Sequence, residues 1–332
     1  MANRIPEPRL LWTHQLTTGS FFDLPLNVME SNVLLTSGQI VSTGRMQDPV
    51  IVDKDGSTMW EFSPQGSNEQ TTFSALAQTG WIYVCTTAYR LYAYDEQQEL
   101  QWTAEFEGHE DGMHFCACAV TTNGDVVVVA KGGLVYCYDD DGALRWERFL
   151  DGASCFWAPG MASNGNMYLR ADDFRLIALS SEGEELWSTY ADMHSMKEMH
   201  VTSDNSIVYV TSNDSVELVN SLGNTPWEKD LPGEAHLFSD PALGTSDLFA
   251  VLTDNDDEPL RITAFNTGGR LVWERNLGNI DYAKLTALNS DRFCLSLARG
   301  NPFEDTSLEE FARRNLMKSE STFFILDAQG SI

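Results

Sequence analysis

The chain has 332 residues, 49 of them acidic against 21 basic, for a net charge of −28. Such a field repels nucleic acid and anionic lipid, so both are excluded as partners and a charge-complementary partner would be basic. No stretch approaches 18 apolar residues and the opening MANRIPEPRLLW has no apolar h-region. The expectation is therefore a cytoplasmic protein without membrane insertion, although a mature exported chain reads the same way.

In chain order, one motif returns again and again. It begins as half a copy, Arg9 to Trp12 (RLLW), and recurs as VDKDGSTMW ending at Trp60, YDEQQELQW at Trp102 and YDDDGALRW at Trp146. It continues as LSSEGEELW at Trp187, VNSLGNTPW at Trp227 and FNTGGRLVW at Trp273. The tail, ILDAQGSI from Ile325 to Ile332, has the turn but no tryptophan, so tail and head together restore a seventh copy. The tryptophans at 12, 60, 102, 146, 187, 227 and 273 are 40 to 48 residues apart, the length of a four-stranded propeller blade. Apolar residues between them alternate with period 2, which excludes helical solenoids.

One repeat shows the expected layout. Ala158 to Ser163 reads as a first strand, Asn164-Gly165 as a hairpin turn and Met167 to Ala171 as a second strand. Arg175 to Leu179 is the third, and Glu185 to Tyr190 is the fourth, carrying Trp187. Equivalent strand pairs are Ile82–Thr86 with Leu91–Tyr94, Val126–Ala130 with Val135–Tyr138, and Ile207–Thr211 with Val216–Val219. The runs VVVVA and IVYVT suit strands buried on both faces. Gly56, Gly142, Gly183, Gly223 and Gly269 fit turns that need positive φ, and the Asp, Asn or Ser opening each turn can accept from nearby amides. Each tryptophan is expected to wedge between neighbouring blades, with at most roughly 4–6 kcal/mol from burying its ring. These seven aromatics are read as packing groups.

The D-x-x-G-x-x-x-W repeat at this spacing resembles the PQQ-like repeat family of β-propellers, the family of quinoprotein dehydrogenases and of BamB-like proteins. The resemblance covers nearly the whole chain. It departs from the pattern at Gln97-Gln98, where glycine is usual, and in a count of seven where those relatives have eight blades. The resemblance implies an all-β propeller, and the seven copies, one of them split, imply one seven-bladed domain over residues 1–332, of four-stranded antiparallel blades, closed by an N-terminal strand around Leu10 to Gln15. An insertion at about 300–320 breaks the repeat. Its capping box at Thr306 and Glu309, and Leu308, Phe311, Ala312 and Leu316 at helical spacing, predict a helix over 306–317 whose apolar stripe packs on the propeller or on a partner. The remaining surplus is an acidic loop, Asp254 to Pro259.

In such a fold, loops from each fourth strand to the next blade share a face with the hairpins between second and third strands. Around that face the chain sets Phe21, Phe22 and Asp23; Glu69; Asp111, His114 and Phe115; Phe156 and Trp157; His194; Glu234, His236 and Phe238; Asp281 and Tyr282; and Phe311 from the insertion. Exposed aromatics mark binding surfaces, so these are the candidate partner- or ligand-binding residues; as plain loop packing they would line the channel mouth instead. No metal site is expected. The histidine-bearing loops lack HExxH, Asp254, Asp256 and Asp257 lack EF-hand spacing, and the cysteines (Cys85, Cys116, Cys118, Cys137, Cys155, Cys294) form no CxxC pair. They sit mostly in apolar runs, as small hydrophobes do. No cofactor is expected either, since the vicinal Cys-Cys common in quinoprotein enzymes is absent.

The reading is a monomeric, non-catalytic protein-binding module, an inhibitor or adaptor that docks a basic protein on the aromatic, acidic face. Two alternatives stay open: small-molecule or carbohydrate binding in the channel mouth, with Phe156, Trp157 and Tyr282 stacking, and an atypical quinoprotein oxidoreductase.

Overall fold

A computed structural model describes residues 31–34, 40–43, 48–53, 57–64, 69–108, 116–151, 157–194, 198–235, 241–244, 246–255, 258–278, 282–288, 292–298 and 322–326. Every regular element among these residues is a β-strand, and the strands form seven antiparallel sheets divided between two compact units. The helix expected at 306–317 and the closing strand at Leu10–Gln15 lie outside the described residues.

The first unit, residues 10–190, holds four sheets, each a four-stranded meander in chain order. They are β1–β4 (Ser31–Leu34, Ile40–Thr43, Val50–Val52, Thr58–Glu61), β5–β8 (Thr71–Leu76, Ile82–Thr86, Arg90–Tyr94, Leu100–Glu105), β9–β12 (Cys116–Val120, Val126–Ala130, Leu134–Tyr138, Leu144–Phe149) and β13–β16 (Gly160–Met161, Met167–Arg170, Arg175–Leu179, Glu185–Tyr190). The predicted first strand over 158–163 is cut to Gly160–Met161 because Pro159 has no amide hydrogen for the ladder.

The second unit, residues 1–9 with 191–332, holds three. β17–β20 (His200–Val201, Ile207–Val210, Ser215–Val219, Trp227–Asp230) repeat the meander. The next sheet has five strands, β21–β25 (Glu234–Ala235, Ala242–Leu243, Phe249–Asn255, Glu258–Phe265, Leu271–Gly278), with both short strands paired to β23. The last has β26–β28 (Tyr282–Leu288, Arg292–Ala298, Thr322–Leu326). Here the acidic loop expected at 254–259 is corrected. Asp254 and Asn255 belong to β23 and Glu258 and Pro259 to β24, with Asn255 opposite Glu258.

Alternation along each inner strand fills the space between neighbouring sheets. Val126 and Val128 pack with Tyr83, Cys85 and Leu91 of the preceding sheet, while Val127 and Val129 pack with Met167, Leu169 and Ile177 of the following one. In the second unit Val208 and Val210 meet Phe249 and Val251 in the same way. Cys85, Cys116, Cys118 and Cys137 are buried and free, and burial holds the Cys85 thiol well above its ordinary range.

The repeated motif makes the same joint at Trp102, Trp146 and Trp227. Trp102 donates its indole N–H to the Asp140 carbonyl (2.8 Å), Trp146 to Ser181 (2.9 Å) and Trp227 to Thr267 (2.8 Å). Each acceptor lies two residues before the turn glycine of the next sheet. The ring lies on that glycine, so closely that a Cβ added to Gly142, Gly183 or Gly269 would fall 2.6–2.8 Å from the indole. The glycine is thus required twice, by its positive φ (84°, 74° and 71°) and by the ring above it. The residue opening each turn accepts from turn amides: Asp139 Oδ1 from Ala143, Asn220 Oδ1 from Leu222 and Asn224, and Asn266 Oδ1 from Gly268 and Arg270. The ladder beside the turn carries a β-bulge, as where the register shifts between Cys137 and Tyr138. The rings lap over the next turn more than they wedge: Trp146 is 7% exposed, and the other described motif tryptophans are half-buried.

Gln98 stands where the glycine should be and still takes φ +61°. Its side-chain amide donates to the Glu96 carbonyl (2.5 Å), the position that accepts an indole N–H at the other joints, while Trp60 instead meets the edge of Tyr94 (5.1 Å). Gln98→Gly should stabilise the chain by about 0.5–1 kcal/mol by removing left-handed strain, read as a higher urea midpoint. A lower midpoint would mean that the amide cap outweighs the strain.

Candidate functional site

The meander sends the hairpin between second and third strands, and the exit of the fourth, to the same end of each sheet. At that end of the first unit, register places Glu105 opposite Arg90, Phe149 opposite Leu134 and Tyr190 opposite Arg175, one equivalent position in three sheets. In the second unit Asp230 opposite Ser215 is the fourth. Two of these positions carry an acid. Phe149 and Tyr190 are aromatic instead, and they are 66% and 69% exposed.

The hairpin after β14 adds a third ring. Phe174 N–H donates to Ala171 O (3.2 Å), Ala171 N–H to Arg175 O (2.8 Å), and Phe174 takes φ +64°. Tyr89, Gly133 and Asp214 hold the same hairpin position with positive φ. Tyr89 turns inward against Phe106 (5.8 Å) and over Gly108. Phe174 turns outward, 52% exposed, beside Tyr190 with ring centroids 6.4 Å apart at 45°.

Arg175 gathers this end. Its Nε donates to Asp173 Oδ2 and its second guanidine nitrogen to the Asp151 carbonyl, both at 2.6 Å. This ties the exit of β12, just beyond Phe149, to the hairpin carrying Phe174. Arg170 lies over the half-buried Trp157 ring at 5.7 Å. Asp151, Asp172 and Asp173 are exposed beside the rings.

Glu69 has a different setting. Its side chain is only 2% exposed, and both oxygens are engaged. Thr86 donates to Oε1 (2.5 Å), the Tyr92 hydroxyl lies 3.0 and 3.2 Å from the two oxygens, and Arg90 reaches Oε2 at 3.4 Å while its Nε donates to Glu105 (2.9 Å). Burial pushes the Tyr92 phenol up, with Arg90 opposing. This carboxylate ties β5, β6 and β7 together within the core.

Of the other sequence-predicted positions, His194 is half-buried with its N–H on Val210 O (2.8 Å). Glu234 is exposed on β21 opposite Asp254, and Tyr282 begins β26 opposite Ala298. Phe21, Phe22, Asp23, Asp111, His114, Phe115, Phe156, His236, Phe238, Asp281 and Phe311 lie outside the described residues, as does Trp12. Among the described residues no three His, Cys, Asp or Glu are grouped to hold a metal ion. No described helix is long and apolar enough to cross a membrane. Sequence reading named Trp157 but passed over Phe149, Phe174 and Tyr190. The available signal was an aromatic between Asp173 and Arg175 at a hairpin, and aromatics at a strand end where Glu105 stands in the preceding repeat.

Residues 93–210 match the family model described as outer membrane protein assembly factor BamB. Among solved structures, the chain is similar to BamB from Moraxella catarrhalis, with 14% identity, TM-score 0.56, and coverage of 95% of this chain and 98% of that one. It is also similar to virginiamycin B lyase from Staphylococcus aureus solved with quinupristin (11%, TM-score 0.59, 80% and 90%) and to a streptogramin B lyase (13%, TM-score 0.57, 80% and 89%). No curated protein matches the sequence. At these identities the structural likeness shows the fold alone, a β-propeller, and residues 93–210 show the PQQ-like, BamB-type repeat within it.

Proposed function

We propose that this chain is a non-catalytic protein-binding module, which docks a basic partner on the hairpin end of the first unit. The observation carrying the reading is that Phe149, Phe174 and Tyr190 are all mostly exposed at that end, in a chain of net charge −28. Aromatic groups of this size supply anchors at protein interfaces, while the acidic field speeds encounter with a basic surface. The matched family model is that of an assembly factor, a role met by binding.

The test is co-purification from the native cell using wild type and the charge-neutral triple variant Phe149→Ala, Phe174→Ala, Tyr190→Ala. A basic protein should accompany wild type at low salt, leave at high salt, and be absent from the variant. Identical companions on both proteins would overturn the docking site. No companion at all, with a thermal shift on adding a sugar or other small molecule, would favour ligand binding instead.

A further inference from the structure

Resting on the docking reading above, the geometry points to Phe174 and Tyr190, flanked by Asp172, as the seat for an arginine side chain of the partner. The two rings stand 6.4 Å apart at 45° and expose 52% and 69% of their residues, so both are open to a cation from solvent. Aromatic faces attract cations through their quadrupole, and a guanidinium also stacks as a plane, which an ammonium does not. The chain makes this contact twice with its own residues, setting Arg170 over Trp157 at 5.7 Å and Arg148 over Trp146 at 6.0 Å.

Charge around the seat favours the same ligand. Asp172 and Asp173 precede Phe174 and are exposed. The cation next to Phe174 in the chain and opposite Tyr190, Arg175, is bound to Asp173 and to the Asp151 carbonyl, so its charge is already engaged.

Backbone conformation is an independent pointer. Phe174 takes φ +64°, a region that a bulky side chain enters at a cost. The equivalent hairpin position is Gly133 in the preceding sheet, where no such cost arises, and Tyr89 in the sheet before, whose ring is buried against Phe106. Phe174 presents its ring to water instead. Strain kept for an outward-facing ring fits a group held ready for a ligand.

The test uses the full chain with blocked tri-arginine and tri-lysine peptides as probes, in NMR titrations at matched ionic strength. Tri-arginine should bind wild type at least fivefold more tightly than tri-lysine. Phe174→Gly and Tyr190→Ala, which change no charge, should each erase that preference. Phe174→Gly should at the same time raise the urea midpoint, because glycine relieves the backbone. Equal binding of both peptides to wild type, or an unchanged preference in both variants, would reduce the effect to diffuse charge attraction and overturn the seat. A lowered midpoint for Phe174→Gly would instead make the ring a packing group and overturn it too. Failure here is separable from failure of docking. A native partner lost by the triple variant without any arginine preference keeps docking and sinks the seat, whereas an arginine preference with no captured partner does the reverse.

Discussion

Trp146→Ala should lower stability by about 4 kcal/mol, the largest effect of any single motif substitution in the first unit. Trp146 is buried among Val127, Val135, Cys137, Met167 and Ile177, whereas Trp102 at the equivalent place is half-buried. Truncation would open a cavity between two sheets and leave the Ser181 carbonyl without its indole donor. It would also remove the ring under Arg148, whose guanidinium holds Gly183 O (3.1 Å) and Glu182 O (3.2 Å). The joint therefore fails in packing and hydrogen bonding together. Urea unfolding of the variant checks this, with Trp102→Ala as the milder comparison. A loss below about 1 kcal/mol would show that the indole is not what joins these sheets.

Glu69→Ala should cost about 3 kcal/mol, because it strands two buried hydroxyls rather than exposing a surface charge. Thr86 and Tyr92 are wholly buried, and without the carboxylate each would lose its acceptor. Arg90 is about one-third exposed and can turn to water or keep Glu105, so its share is small. Glu69→Gln retains an acceptor oxygen and should lose far less, roughly 1 kcal/mol. Equal losses for Ala and Gln in denaturant titrations would mean that ionic pairing, and not the hydroxyl acceptors, sets the role of this side chain.

The repeat was legible from the sequence because its parts are local. A turn opener, a glycine and a tryptophan four residues later can be read from spacing alone, and Gly142, Gly183, Gly223 and Gly269 all take the positive φ that this implies. What spacing could not convey is the partner of each part. Gly183 is required by Trp146 of the preceding repeat, 37 residues away, as much as by its own turn. Glu69 reads as a polar loop residue, and only the packing of Thr86 and Tyr92 around it makes it a core group. Phe174 and Tyr190 looked like an ordinary hairpin and an ordinary strand end, since which way a ring turns at positive φ depends on whether a neighbour such as Phe106 is there to receive it.

The joint between sheets is made from a carbonyl, a glycine and an indole, all at the edge away from the exposed rings. The opposite end lies outside that joint, its tie between sheets being Arg175 on the Asp151 carbonyl, and one register position there holds Glu105, Phe149, Tyr190 and Asp230 in different repeats. Uniform mortar on one side leaves the other free to vary brick by brick. Recognition could be rewritten there one repeat at a time, with the masonry untouched.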